Sequence, residues 1–108
     1  MITVNINYIP GYEIIEALGM VEANTIQSKH IGKDILSGFK TLVGGHLGEY
    51  EQMMTESRAG AKQEIMTKAE NLGADAIINI RYSSSAIMQG AAEILCYGTA
   101  VKIKKIIN

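Results

Sequence analysis

The chain reads as an α+β domain, a mostly antiparallel four-stranded sheet packed on two helices in two layers. Three observations predict this. Near both ends of the chain apolar residues follow the alternation of strands. In the middle the apolar spacing changes to three and four, the period of a helix. Turn-forming residues fall at the junctions between these segments. A length of 108 residues fits one domain, so residues 1–108 are taken as a single unit.

The first strand is expected over Met1–Ile9, where Ile2, Val4 and Ile6 alternate with Thr3, Asn5 and Asn7. Pro10–Gly11 is a turn signal. Tyr12–Gln27, "YEIIEALGMVEANTIQ", is rich in Ile, Val and Thr and predicts a long strand bent at Gly19. Its small apolar set is Ile15, Ala17, Gly19, Val21 and Ala23, and the opposite set, Ile14 to Glu22, is mixed. From Ile31 to Val43 the residues Ile31, Ile35, Leu36, Phe39, Leu42 and Val43 form a helical stripe. Gly44–Gly45 is placed to end that helix, because glycine commonly takes the left-handed conformation at a helix C-terminus.

Glu49–Leu72 is the plainest helical pattern. Tyr50, Met53, Met54, Ala61, Ile65, Ala69 and Leu72 share one face, and most of the charged residues lie off it. Glu64 and Lys68 have the spacing of a favourable i, i+4 pair, worth roughly 0.2–0.5 kcal/mol. Gly73 is the expected residue beyond the helix end. Asp75–Ser85 reads as a strand around "AIINIRY", with a polar tip at Ser83–Ser85 and a loop near Gln89–Gly90. Ala91–Ile107 is the last strand. Leu95, Tyr97, Thr99, Val101 and Ile103 face one way; Ile94, Cys96, Gly98 and Ala100 face the other.

That last strand is apolar on both sides, and both sides want cover. Two helices can cover one face of a four-stranded sheet, and no other segment remains for the second. Large exposed apolar patches are rare on soluble monomers. A second copy of the chain is the simplest cover. The long second strand, at ~3.3 Å per residue, would span roughly 50 Å. It too is expected to reach a neighbouring subunit, so the chain's expected partner is itself, in a homo-oligomer.

Composition excludes several classes. Ten basic and eleven acidic residues give a net charge of -1, which argues against a nucleic-acid or membrane-surface partner. A hydrophobic content of 47% argues against disorder. The opening "MITVNINYIPGYE" lacks the basic head and apolar run of a signal peptide. The single cysteine, Cys96, fits a reducing compartment. A cytoplasmic protein is expected.

The stretch "VGGHLGEYE", Val43 to Glu51, invites a site. It is not the G-x-x-x-x-G-K-[ST] phosphate loop, and Glu49 and Glu51 would repel an anion at the adjacent helix N-terminus. Its plainer role is a helix break, with Gly44, Gly45 and Gly48 shaping the backbone and Tyr50 packing inward or against a neighbouring subunit. For a soft metal the candidates are Cys96, His46, His30 and Glu49. Structural metal sites ordinarily pair Cys and His ligands at short spacing, and here Cys96 is far from both histidines in sequence. It reads more readily as a small buried hydrophobe. No catalytic constellation is visible, and the reading leans away from an enzyme.

The order of segments nevertheless resembles a known family. Gly44–Gly45, then Tyr50–Glu51 opening a long helix, then Leu72–Ala76 entering a strand, then Gly98–Val101 in the closing strand, resemble the YbjQ-like proteins, a family labelled heavy-metal-binding. "IIEALGMVEANTI" is similar to the family's early strand. The resemblance spans nearly the whole chain. It implies a dodecin-like two-layer subunit that assembles into rings, with pentamers favoured, and it brings in a heavy-metal ion as a possible ligand. One departure is His46, where many relatives carry arginine, so no family role transfers to that side chain. Three functions stay open: a ring-forming protein of unknown ligand, a metal-binding or metal-buffering module with sites between subunits, and a small-ligand binder or enzyme with an inter-subunit pocket near His46 and Glu49.

Overall fold

The computed structural model describes residues 1–28, 47–88 and 91–107. Four strands and one helix are found among them: β1 (Ile2–Thr3), β2 (Tyr12–Ser28), α1 (Leu47–Asn71), β3 (Ala76–Met88) and β4 (Ala91–Lys105). The strands form one sheet in the order β1-β3-β4-β2. β4 pairs antiparallel with both β2 and β3, whereas β1 runs parallel to β3. The sheet is therefore mixed, with its long pairings antiparallel. The helix expected over Ile31–Val43 lies outside the described residues.

β2 forms a strand because its β-branched residues suit a pleated, half-buried surface. It is bent where the sequence suggested. Gly19 has φ 125, a conformation that L side chains rarely adopt, and the register with β4 shifts between Ala17 and Gly19 and again between Ile14 and Glu16. Each extra residue is a bulge that bends the strand and strengthens its twist. These bulges also break the simple alternation expected for this strand: Ile14 joins a buried cluster, while Ile15 is 56% exposed. The N-terminal segment is strand only over Ile2–Thr3 rather than Met1–Ile9. Beyond it the chain crosses over the sheet, and buried Ile9 is followed by the turn at Pro10–Gly11, where Gly11 has φ 85.

α1 ends in a Schellman motif. Gly73, at φ 82, donates to the Glu70 carbonyl at 2.9 Å, and Ala74 donates to the Ala69 carbonyl at 3.0 Å. Two otherwise orphaned carbonyls are thereby satisfied. The buried stripe of the helix is Ser57, Ala61, Ile65 and Ala69. Ser57 belongs on it because its hydroxyl donates to the Met53 carbonyl at 2.8 Å, which hides its polarity. Leu72, expected on this face, falls beyond the last helical residue and is 48% exposed. Lys68 donates across the layers to the Glu22 carbonyl at 2.8 Å.

Two apolar clusters sandwich the sheet. Ala61, Ile65 and Ala69 of α1 pack on Val21 and Ala23 of β2, Ile77 and Ile80 of β3, and Ile94, Cys96 and Ala100 of β4. On the opposite face Ile9 packs with Ala76, Ile78 and Val101, joined by Ile2, Val4, Tyr12, Ile14 and Ile103. The sequence-based view that nothing in the chain covers this second face is corrected here, because the crossing segment that carries Ile9 covers one end of it. Gly98 marks a close approach of β4 to β3 in the helix-side layer, where a Cβ would stand 2.7 Å from Ile77 Cγ2.

Away from these clusters the described residues continue as a three-stranded ribbon of β2, β4 and β3. Ser83–Ser85, expected as a hairpin tip, are paired strand residues opposite Leu95, Ile94 and Glu93, so β3 runs three residues further than expected. Every residue from Arg81 to Met88 is exposed. The described residues span 59 × 23 × 16 Å with a radius of gyration of 17.6 Å, against about 13 Å for an ordinary domain of about 100 residues.

Candidate functional site

One residue of β3 re-aims the strand. Asn79 has φ 54, and the β3–β4 register slips between Ile78 and Arg81. Asparagine tolerates this left-handed conformation better than the isoleucines around it. The slip gives β3 one extra residue relative to β4, so Ile77 and Ile80 both enter the helix-side core. The released amides find the N-terminal segment instead: Asn79 N donates to Ile6 O at 3.0 Å and Ile80 N donates to Val4 O at 3.1 Å. Residues 3–6 are thus laced along β3 where β1 ends.

A cleft of about 740 Å³ opens at this place, lined by Thr3, Val4, Asn5, Ile6, Lys62, Ile80, Arg81 and Tyr82. Its volume is in the range of small-ligand sites, roughly 300–1,000 Å³. Arg81 is anchored there. Its Nη1 donates to the Asn5 carbonyl at 2.6 Å and to the Ile80 carbonyl at 3.0 Å. Lys62 reaches the cleft from α1 and is half-buried. No acidic residue stands among the described lining.

Cys96 lies behind the cleft, paired in register with Tyr82 and fully buried. Burial pushes its thiol above the ordinary range, opposed by the Tyr82 hydroxyl and the Lys62 charge. Burial also raises the Tyr82 phenol; the adjacent Cys96 adds to this, and the Arg58 charge opposes it. At neutral pH the pair is therefore a thiol and a phenol. A protonated, buried thiol is a poor nucleophile and a poor metal ligand.

The residues expected as sites are not gathered by the structure. His30, His46, Gly44 and Gly45 lie outside the described residues. Glu49 falls in the first turn of α1, which begins at Leu47. Gly48 was expected to let the chain turn ahead of the helix; it is instead an exposed helical residue, because the helix starts two residues earlier than the glutamate. Tyr50 is half-buried. No group of three or more His, Cys, Asp or Glu able to hold a metal occurs among the described residues. Likewise, no helix among them is long and apolar enough to cross a membrane.

Sequence reasoning missed Lys62 and Arg81. Lys62 lies among the charges off the apolar face of its helix, Arg81 stands within the "AIINIRY" strand, and the two are nineteen positions apart. The available signal was Asn79, a residue depleted in strands in the middle of an isoleucine run.

A family model described as "Putative heavy-metal-binding" matches residues 1–104. The chain belongs to this YbjQ-like family. Among its relatives, a UPF0145 protein of Alkaliphilus metalliredigens is 63% identical over 102 residues, covering 94% of this chain and 98% of the relative. A UPF0145 protein of Thermosipho africanus is 56% identical over 105 residues, covering 97% of each chain. The fold is also similar to the crystal structure of a protein of unknown function of the DUF74 family from Pediococcus pentosaceus. That similarity has a TM-score of 0.64 and 22% identity and covers 96% of this chain and 98% of the other; at that identity it speaks for the fold alone.

Proposed function

We infer that the protein is a cytoplasmic, ring-forming homo-oligomer, dodecin-like in subunit design, whose task is to assemble and to hold a ligand rather than to catalyse. The observation that carries this is the outer half of β3. Arg81 to Met88 are exposed on both faces, and β1 pairs only with Ala76 and Ile77. The outer edge of this segment has no strand beside it among the described residues, and β2, at the other end of the sheet order, likewise has none. Long unpaired edges template pairing with another chain unless they are covered. Met20 and Ile26 of β2 and Ile87 and Met88 of β3 are at least half exposed, an unusual load of apolar side chains for a lone subunit. An edge of β2 meeting an edge of β3 in the next copy would be a head-to-tail contact, the kind that closes into rings. Five subunits is the number that the family resemblance favours.

The test is a paired charge substitution, Met20→Lys with Ile26→Lys. Light scattering of the unaltered protein is expected to give several times 11.7 kDa, and the double variant is expected to fall to a smaller species with its circular dichroism intact. An unaltered protein that is already monomeric removes the basis for the proposal.

The family description supports a second reading, a heavy-metal module. Within one chain Cys96 is too deeply buried to serve it without rearrangement, so the metal would have to sit between subunits. Metal analysis of protein purified without chelators, before and after Cys96→Ala, separates the two readings. Near-stoichiometric metal favours the metal module; its retention in the variant places the ions between subunits away from Cys96, and its loss places Cys96 among the ligands.

A further inference from the structure

We propose that the cleft between residues 3–6, α1 and β3 binds a small organic anion, a carboxylate or phosphate monoester with an apolar body, whose charged end is held by Arg81 and Lys62. Four observations support this beyond the assembly argument. The first is charge: two cations and no acid stand among the described lining residues, so an anion entering the cleft gains attraction from both without repulsion. The second is preorganisation. Arg81 is held through Nη1 by two backbone carbonyls, while its Nε and Nη2 have no hydrogen-bond partner among the described residues. A guanidinium fixed at one corner still offers planar, paired donors to an oxyanion.

The third is the neutral donors around the cations. Thr3, the Asn5 amide and the Tyr82 phenol line the same space, and the phenol is a proton donor at neutral pH, as an ordinary tyrosine is, with partial burial pushing it further up. The fourth is the remainder of the wall, Val4, Ile6 and Ile80. These side chains can cover carbon and would leave a bare inorganic ion poorly enclosed. Polar groups that fix a charged end, set beside an apolar wall that covers carbon, are what a small-molecule site uses for orientation and enclosure. The strained Asn79 beside it fits the same picture, because backbone strain is retained where the surroundings fix it and clusters at ligand sites.

The experiment is titration calorimetry of the full chain with phenyl phosphate, with inorganic phosphate and phenol as separate probes. Phenyl phosphate is expected to bind saturably with a Kd below about 1 mM. Inorganic phosphate is expected to bind more weakly, and phenol not to saturate. Lys62→Met, which keeps a good helix former in α1, and Arg81→Gln are each expected to weaken phenyl phosphate by about ten-fold. Lys104→Met, outside the cleft and exposed, makes the same change in net charge as Lys62→Met and is expected to leave binding unchanged. Absence of saturation up to roughly 10 mM overturns the proposal. So does a Lys62→Met variant that binds as before, or equal weakening by Lys104→Met, which would mark a general charge effect. Because Arg81 also fastens the N-terminal segment, Lys62→Met decides the matter if Arg81→Gln does not fold.

Discussion

Gly98→Ala should destabilise the fold although it adds a single methyl group. The new Cβ would stand 2.7 Å from Ile77 Cγ2, 3.1 Å from the Ile78 carbonyl oxygen and 3.2 Å from Ile80 Cγ1. Ile77 is fully buried against α1, so it has no free direction in which to retreat, and the carbonyl belongs to a paired strand. Overpacking of this kind costs about 1–3 kcal/mol. Replacing glycine also restricts the unfolded chain, which returns roughly 0.4–1 kcal/mol. The net expectation is a loss of about 1–2 kcal/mol, or a fall in Tm of roughly 4–8 °C for each kcal/mol. Gly60→Ala is the matched control. It lies in α1 with nothing within 4 Å of its added Cβ, so it should stabilise by roughly 0.5–1 kcal/mol. Thermal and urea unfolding at one fixed protomer concentration read both variants, since association shifts apparent stability. If Gly98→Ala melts at or above the unaltered protein, the close approach of β3 and β4 under α1 is not what requires glycine there, and the packing argument fails.

Three further expectations rest on other positions. Cys96 should react slowly with thiol reagents in the native state and fast once unfolded. Its folded proton is held above the ordinary value of 9.0, so the unfolded chain ionises first and stability should fall as pH rises past that point; Cys96→Ala should lose less stability over the same range in an unfolding series. Gly73→Val should cost roughly 1–2 kcal/mol through its left-handed backbone alone, because the nearest atom to a Cβ there is Lys102 Cε at 3.9 Å; a neutral result in a urea titration would mean that the Schellman end of α1 is not fixed. Asn79→Val should destabilise by a similar roughly 1–2 kcal/mol, whereas Asn79→Gly should melt close to the unaltered protein.

The parts of the fold legible in the sequence are those set by local chemistry. The bend of β2 was carried by Gly19, the end of α1 by Gly73, and the buried helical stripe by the spacing of Ala61, Ile65 and Ala69. These signals need no knowledge of the partner element. The two apolar sides of β4 were also legible, and they pointed correctly to cover on both faces. What covers one of them was not. Ile9 sits in a segment whose alternation looks like one more strand, and only the sheet order, with β1 and β2 at opposite edges, carries it across the second face. The polar run Ser83–Ser85 looked like a tip because serines suit turns, yet long-range pairing with Leu95, Ile94 and Glu93 overrode that preference. The cleft was the least legible feature. Lys62 belongs to a helix whose other charges are solvated, and Arg81 gains its position from a hydrogen bond to a segment more than seventy residues away in sequence.

The central claim is that this elongated, open-edged subunit is one piece of a larger assembly, and native mass spectrometry of untreated protein at micromolar concentration tests it most directly. The same spectrum reads subunit number and any bound metal. A closed assembly at a multiple of 11.7 kDa, five subunits being the favoured multiple, is the predicted result, with no metal mass needed to account for it. A clean monomer would contradict the account, because β2 and the outer half of β3 would then have to tolerate water along their whole exposed length.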